Sequence, residues 1–378
     1  MTAPQSARIP TRRKLLYTGI VALLSLLACE GALRVRAWIR YGSPSTGVRD
    51  PMLVYDREAD LLVPRPGYEA KGARINIRIN SLGFRGDEIT QEKPPHTVRI
   101  ACLGASTTFC AEVSSNHQTW PYLLQQKLRQ AYPGVNIEVV NAAVGGYVAA
   151  DNLKNLEHRV LPLDPDLVIY YEANNEIVRD TQQLATHEGI LAEGSNRQPG
   201  VVTAFSRYSL MVDLIYKNLA ILLRSHAQPT KTLDHLPPNL PNHFITVLDQ
   251  MRADLETRHV PLVLSTFIVK YRRSQDRATQ IRNADVAFYY MPWMSINGML
   301  DAMDLYNQAI LDYGERAGLF VVDDRDAIPA DAEHFSDCMH LLDAGADAMA
   351  ERFFRALQAS GLVEARIRGL RGKGGGAS

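Results

Sequence analysis

VRIACLGASTTFC, residues 98–110, decides the fold of this chain. Its first half, 98–103, is apolar apart from Arg99, which is how a parallel strand buried on both faces reads. Gly104 and Ala105 then permit a tight turn, and Ser106 follows. The next helical periodicity begins only at Thr119, so residues 106–118 are expected to loop over the sheet edge with Ser106 at the floor of a cleft. That is the carboxyl end of a strand, where α/β sheets place their chemistry. Taken alone, a serine at such a turn is better read as a helix cap.

Working outward, four more apolar runs read as strands: 137–140, 167–171, 261–268 and 319–322. Between them, apolar residues recur at helical spacing. Trp120, Leu123, Leu124 and Leu128 mark a helix over 119–131, and Leu153, Leu156 and Val160 another ending at Pro162. Further helices are expected over 244–258, 300–317 and 343–357, the last with Asp343 as its N-cap. Five apolar strands alternating with helices imply a parallel sheet covered on both faces, a three-layer α/β/α sandwich over 98–360.

Three later stretches give Ser106 a context: NAAVGGY at 141–147, PDLVIYYEANNE at 165–176 and DCMH at 337–340. In this order the four blocks resemble the SGNH (GDSL-like) hydrolase family, over about residues 75–357. The resemblance implies a flavodoxin-like sandwich, with Ser106 as nucleophile and the Asp337–His340 pair as the D-x-x-H of the last block. It also implies an oxyanion hole from the N–H groups of Ser106 and Gly146 and the side-chain amide of Asn175. Members often carry Asp where this chain has Ala105, and G-x-N-D where it has Ala173-Asn174-Asn175-Glu176. NSLGFRG at 80–86 is similar to a stretch that membrane-anchored relatives carry ahead of the nucleophile block; packing of Phe84 against the domain is its expected role.

The chemistry is consistent with the residue types. A serine hydroxyl needs a base during attack; imidazole titrates near neutral pH, and a carboxylate three residues earlier can hold its tautomer. Asp331 and His334 repeat the same spacing, but His340 leads directly into the last helix and is the expected base. The leading reading is hydrolysis of an acyl ester, such as an O-acetyl group on a cell-surface glycan or a lipid ester. An O-acyltransferase using the same triad, and a membrane-anchored binding protein with a vestigial triad, are the alternatives.

With 41 basic and 41 acidic residues the formal charge is zero, which gives no reason to expect a nucleic-acid surface. The four cysteines show no CxxC and the ten histidines no HExxH, so neither a metal nor another cofactor is expected. Cys110 and Cys338 flank the two halves of the site, and either a disulfide or two free thiols would be consistent with that.

Arg8, Arg12, Arg13 and Lys14 precede a mostly apolar run at 15–33, near the roughly 20 residues that span a bilayer. Residues 1–36 are therefore read as a cytoplasmic tail and membrane anchor, with the catalytic part facing the periplasm or outside. A cleaved signal peptide, or a lipobox ending at Cys29, are the competing readings. Residues 37–97 form an extended segment, with strand-like runs at 52–55 and 75–79, that packs on the catalytic domain. An insertion is expected at 179–243; within it an amphipathic helix at 208–223 either packs on the domain or covers the cleft. The aromatic run at 285–298 either lines a pocket from a loop or plugs the core. Residues 361–378 read as a flexible tail. Oligomeric state is left open.

Overall fold

The computed structural model describes residues 10–42, 52–191, 209–226 and 231–374. The first element is α1 (Thr11–Tyr41), a helix long and apolar enough to cross a membrane. Two antiparallel hairpins follow, β1 (Leu53–Asp56) with β2 (Leu61–Pro64), and β3 (Glu69–Lys71) with β4 (Asn76–Arg78). The end of α1 is fastened to the second hairpin. The N–H groups of Ala73 and Arg74 donate to the carbonyls of Ile39 (2.6 Å) and Arg40 (3.0 Å).

The central sheet has five parallel strands: β5 (Thr97–Gly104), β6 (Asn136–Asn141), β7 (Leu167–Tyr171), β8 (Leu262–Ser265) and β9 (Phe320–Val322), in the spatial order β6-β5-β7-β8-β9. This is the doubly wound, flavodoxin-like order, and the direction of winding reverses between β5 and β7, where such sheets open a crevice. All eight positions of β5 are buried, as its apolar sequence requires. Arg99 is tolerated there because its guanidinium meets Glu138 and the carbonyls of Leu163, Thr90 and Gln91.

Helices cover both faces, and the alternation of side chains along β7 shows how. Tyr171 faces Trp120 and Phe353, carried by α3 (Trp120–Ala131) and α11 (Asp343–Ser360). Its neighbour Tyr170 faces the opposite layer, against Phe244 on α7 (Asn242–Glu256), which in turn meets Tyr306 on α10 (Ile296–Ala317). The layer of Tyr170 also holds α4 (Ala149–Asn155) and α5 (Asn174–His187).

Several expectations need correction. Residues 106–118 are not one loop: Ser106–Phe109 forms a single helical turn, α2, closed by Cys110 in the left-handed region. The helix α5 runs through His187, so the irregular insertion starts after it, and its residues 192–208 and 227–230 lie outside the described part. Within it α6 (Leu210–His226) packs against α1 and against α9 (Asp285–Tyr290), the helix that follows α8 (Arg277–Asn283). The aromatic run is therefore largely helical rather than a loop, with Phe288, Met291, Trp293 and Met294 buried as a plug. The expected flexible tail is, over Leu362–Gly374, a helix α12 whose Val363 and Ile367 are buried; residues 375–378 lie outside the described part.

Candidate active site

The site stands over the crevice between β5 and β7, at the carboxyl ends of the strands. Gly104 ends β5 with φ +154, and a Cβ there would lie 2.4 Å from both Thr108 Oγ1 and the Tyr171 carbonyl oxygen. Only glycine lets β7 approach this closely. Thr108 then donates to the Tyr171 carbonyl at 3.1 Å, and Asn152 accepts the Gly104 N–H at 3.0 Å, so the turn before Ser106 is tied to two neighbouring elements.

Ser106 Oγ lies 2.8 Å from His340 Nε2, and His340 Nδ1 lies 2.6 Å from Asp337 Oδ2. The second carboxylate oxygen of Asp337 accepts the N–H groups of Met339 and His340, each at 2.8 Å. This folds the short loop around its own acid. The loop is a small antiparallel turn, with the Ser336 N–H donating to the His340 carbonyl at 2.9 Å, and it is tied to the segment after β8 through Lys270. Burial pulls the imidazole pKa down, but the bond to Asp337 and its charge outweigh this, and Glu112 adds to them, so His340 ends above its ordinary value. Burial raises Asp337, yet the imidazole and main-chain N–H bonds prevail and hold it below the usual carboxylate range.

Gly145 lies against the serine, its Cβ position 3.9 Å from Ser106 Cβ, and Gly146 follows with φ +85. Asn175 donates one amide hydrogen to the Tyr147 carbonyl at 2.9 Å, which brings it to the same stretch. Accessibility separates these residues from their surroundings. Ser106 is the one partly open residue between Ala101 and Cys110, Gly145 and Gly146 are exposed between buried Val144 and Tyr147, and Asn175 is partly open between buried Asn174 and Glu176. Asp331 and His334 make the same local pair, Nδ1 to Oδ1 at 2.7 Å, but it is Nε2 of His340 that meets the serine.

Several supporting residues escaped sequence reasoning. Arg85, buried within the NSLGFRG stretch, donates to the carbonyls of Phe109 (2.9 Å) and Cys110 (2.6 Å) and to Asn116 Oδ1 (3.1 Å), with its guanidinium over the Phe109 ring. It thereby satisfies the carbonyl end of α2. Phe84 is buried as expected, under the Arg159 guanidinium. Asp343 does not serve as the N-cap of α11, where Leu342 stands. Instead its carboxylate accepts from Ser114 N (2.8 Å) and Oγ (2.6 Å), joining the loop after α2 to the helix after His340. Glu172 accepts the Asn175 N–H at the start of α5, and Glu176 accepts the Ala149 N–H at the start of α4. Burial pushes Glu172 up to about 8 and Glu176 up to about 7. Cys110 and Cys338 are buried free thiols, not a disulfide, and burial pushes Cys110 up to about 12.

Residues 102–348 match the model of the GDSL-like Lipase/Acylhydrolase family. No curated protein matches the chain. Among solved structures, the chain is similar to an acetylxylan esterase from Geobacillus stearothermophilus, at 15% identity and a TM-score of 0.42, covering 69% of this chain and 94% of that one. It is also similar to an alpha/beta hydrolase enzyme from the metagenome of Lake Arreo, Spain, at 17% identity and a TM-score of 0.42, covering 68% of this chain and 94% of that one.

Proposed function

Because this chain belongs to the GDSL-like lipase/acylhydrolase family and is a serine hydrolase acting on esters, we propose that Ser106, His340 and Asp337 carry its reaction as a triad. The observation that supports this most is the unbroken chain of contacts from Ser106 Oγ through the imidazole to Asp337, 2.8 and 2.6 Å long. Ser106 Oγ attacks the ester carbonyl carbon while its proton passes to His340 Nε2. Asp337 fixes the tautomer that makes this possible and stabilises the imidazolium. The carbonyl oxygen becomes an oxyanion, met by the main-chain N–H groups of Ser106 and Gly146 and by the second amide hydrogen of Asn175, the first being held by Tyr147. On collapse, the alcohol leaves with the proton from Nε2, and an acyl-serine remains. Water, deprotonated by the same nitrogen, then releases the free acid and restores Ser106.

Hydrolysis is favoured over transfer because the base is open to water: the side chain of His340 is 23% exposed, whereas a transferase must keep water from the acyl-enzyme. The exposed, side-chain-free flank at Gly145 and Gly146 leaves room for a bulky alcohol. We take the substrate to be an acyl ester, such as an O-acetyl group of an envelope glycan or a lipid ester. We take α1 as a retained anchor with the catalytic domain outside the cytoplasm. Support comes from the hydrogen bonds of Ala73 and Arg74 to the end of α1, which make that helix part of the domain's packing.

The test is product analysis with p-nitrophenyl acetate and acetylated xylooligosaccharide. Free acetate is expected, with added oligosaccharide acceptors changing the rate little. Ser106→Ala and His340→Ala are each expected to abolish turnover while circular dichroism stays unchanged. Acylated acceptor forming as fast as free acid would make transfer the main activity, and turnover by folded Ser106→Ala would remove the triad.

A further inference from the structure

Glu30 is an ionisable residue in the apolar run of α1, three residues before that run ends at Leu33. A charge at such a depth is costly unless partnered, and most of its partners come from one other element. Its carboxylate accepts from Ser209 Oγ (2.9 Å) and from the N–H groups of Leu210 and Met211 (3.0 Å each); within α1 it meets Arg34 Nε at 2.7 Å. Glu30 therefore caps the start of α6, where orphan N–H groups and the positive end of the helix dipole both favour an anion.

The helix so captured is itself apolar. Its sequence LMVDLIYKNLAILLRSH leaves Ile215 58% and Leu219 49% exposed, one turn apart on a single face, and Tyr290 of the adjoining α9 is 53% exposed. These residues lie beside a helix whose Leu23 and Leu27 are likewise exposed. The position along α1 is also informative. At 1.5 Å per residue, Glu30 sits about 4.5 Å before Leu33, where the apolar run gives way to the alternating Arg34 and Arg36, and interfacial helices bury their apolar face roughly 5–10 Å deep.

We propose that α6 is a second membrane-contacting element, a helix lying in the bilayer interface beside α1, with Ile215 and Leu219 in lipid. The partner is a phospholipid surface, because α6 packs on the anchor helix itself and is capped by a residue of its apolar run. This rests on α1 being a retained anchor. The consequence is an active site held against the membrane: α1 is bonded to the β3–β4 hairpin at one end and clasped by α6 near its middle third, so it does not act as a free tether.

The experiment places the photocrosslinker p-benzoylphenylalanine, one site at a time, at Ile215, Leu219, Leu23 and Tyr55 of the full chain in phosphatidylcholine vesicles, with lipid adducts read by mass spectrometry. Adducts are expected at 23, 215 and 219 and not at 55. Adducts at 23 without any at 215 or 219 would overturn the placement of α6 while leaving the anchor standing; no adduct at 23 would overturn the anchor, and the proposal with it. Crosslinks from 215 to a second protein copy in place of lipid would also overturn it. Glu30→Ala is expected to lower the lipid adduct at 215 at least several-fold, with the adduct at 23 and the hydrolysis of a soluble ester unchanged. An unchanged adduct at 215 would overturn the capping role.

Discussion

At the scale of single residues, His340 makes the most direct statement about pH. As the proposed base, its imidazole must be neutral to take the serine proton, and the contact with Asp337 raises its pKa above the ordinary 6.5 against the opposing effect of burial. Activity should therefore fall as pH drops through a midpoint above 6.5, seen in kcat/KM for a neutral ester. Asp337→Asn removes the anion and leaves burial to dominate, so the midpoint should move down while kcat falls by about four orders of magnitude. A midpoint unmoved by that change would mean that Asp337 does not face the base. Asn175 tests the oxyanion site. Asn175→Ala should lower kcat on the order of a hundredfold or more with a smaller change in KM, because a donor to the oxyanion acts mainly in the transition state; a change confined to KM would make it a substrate contact.

At the scale of elements, Ser106, the proposed nucleophile, rides on α2, a helix of four residues that has no stability of its own. What holds it is a set of distant partners: Arg85 on its last carbonyls, Asn141 donating to the Thr108 carbonyl at 3.0 Å, and the Ser114–Asp343 pair just beyond it. Arg85→Met leaves buried carbonyls unpaired, which costs about 1–3 kcal/mol, and should also lower kcat by tenfold or more. Leu357→Ala, a core truncation elsewhere, serves as the control for stability alone: it should lower Tm with kcat of the folded enzyme unchanged. Equal kcat in Arg85→Met and the native enzyme would reduce Arg85 to a packing residue. None of this was legible in the sequence. Arg85 acts across 24 residues and Asp343 across 229, and no local pattern distinguishes a buried Arg from a surface one. The pairing of Asp337 with His340 was legible because three residues of loop make it locally, and the equal pair at Asp331 and His334 shows that only tertiary placement selects between them.

At the scale of the whole molecule, the apolar runs located every strand of the parallel sheet, since burial on both faces leaves an uninterrupted signal. Helices at the margins were harder to read. In α12 the apolar positions Val363 and Ile367 are four apart, but glycine and arginine surround them and give the composition of a tail. The aromatic run near Phe288 read as a loop, whereas Asp285–Tyr290 is a short helix that packs against α6. The strand order sets β5 and β7 at the reversal of winding, with the ends of both at the site. That placement brings Ser106 and His340, 234 residues apart in sequence, to 2.8 Å.

The central claim is that Ser106 is a nucleophile activated by His340, and covalent labelling measures this most directly. The full chain, treated with a fluorophosphonate and digested, should carry one adduct by mass spectrometry, on the peptide containing Ser106. Labelling should be lost in Ser106→Ala and slowed at least a hundredfold in His340→Ala. An adduct on a different serine, or undiminished labelling in folded Ser106→Ala, would contradict the account.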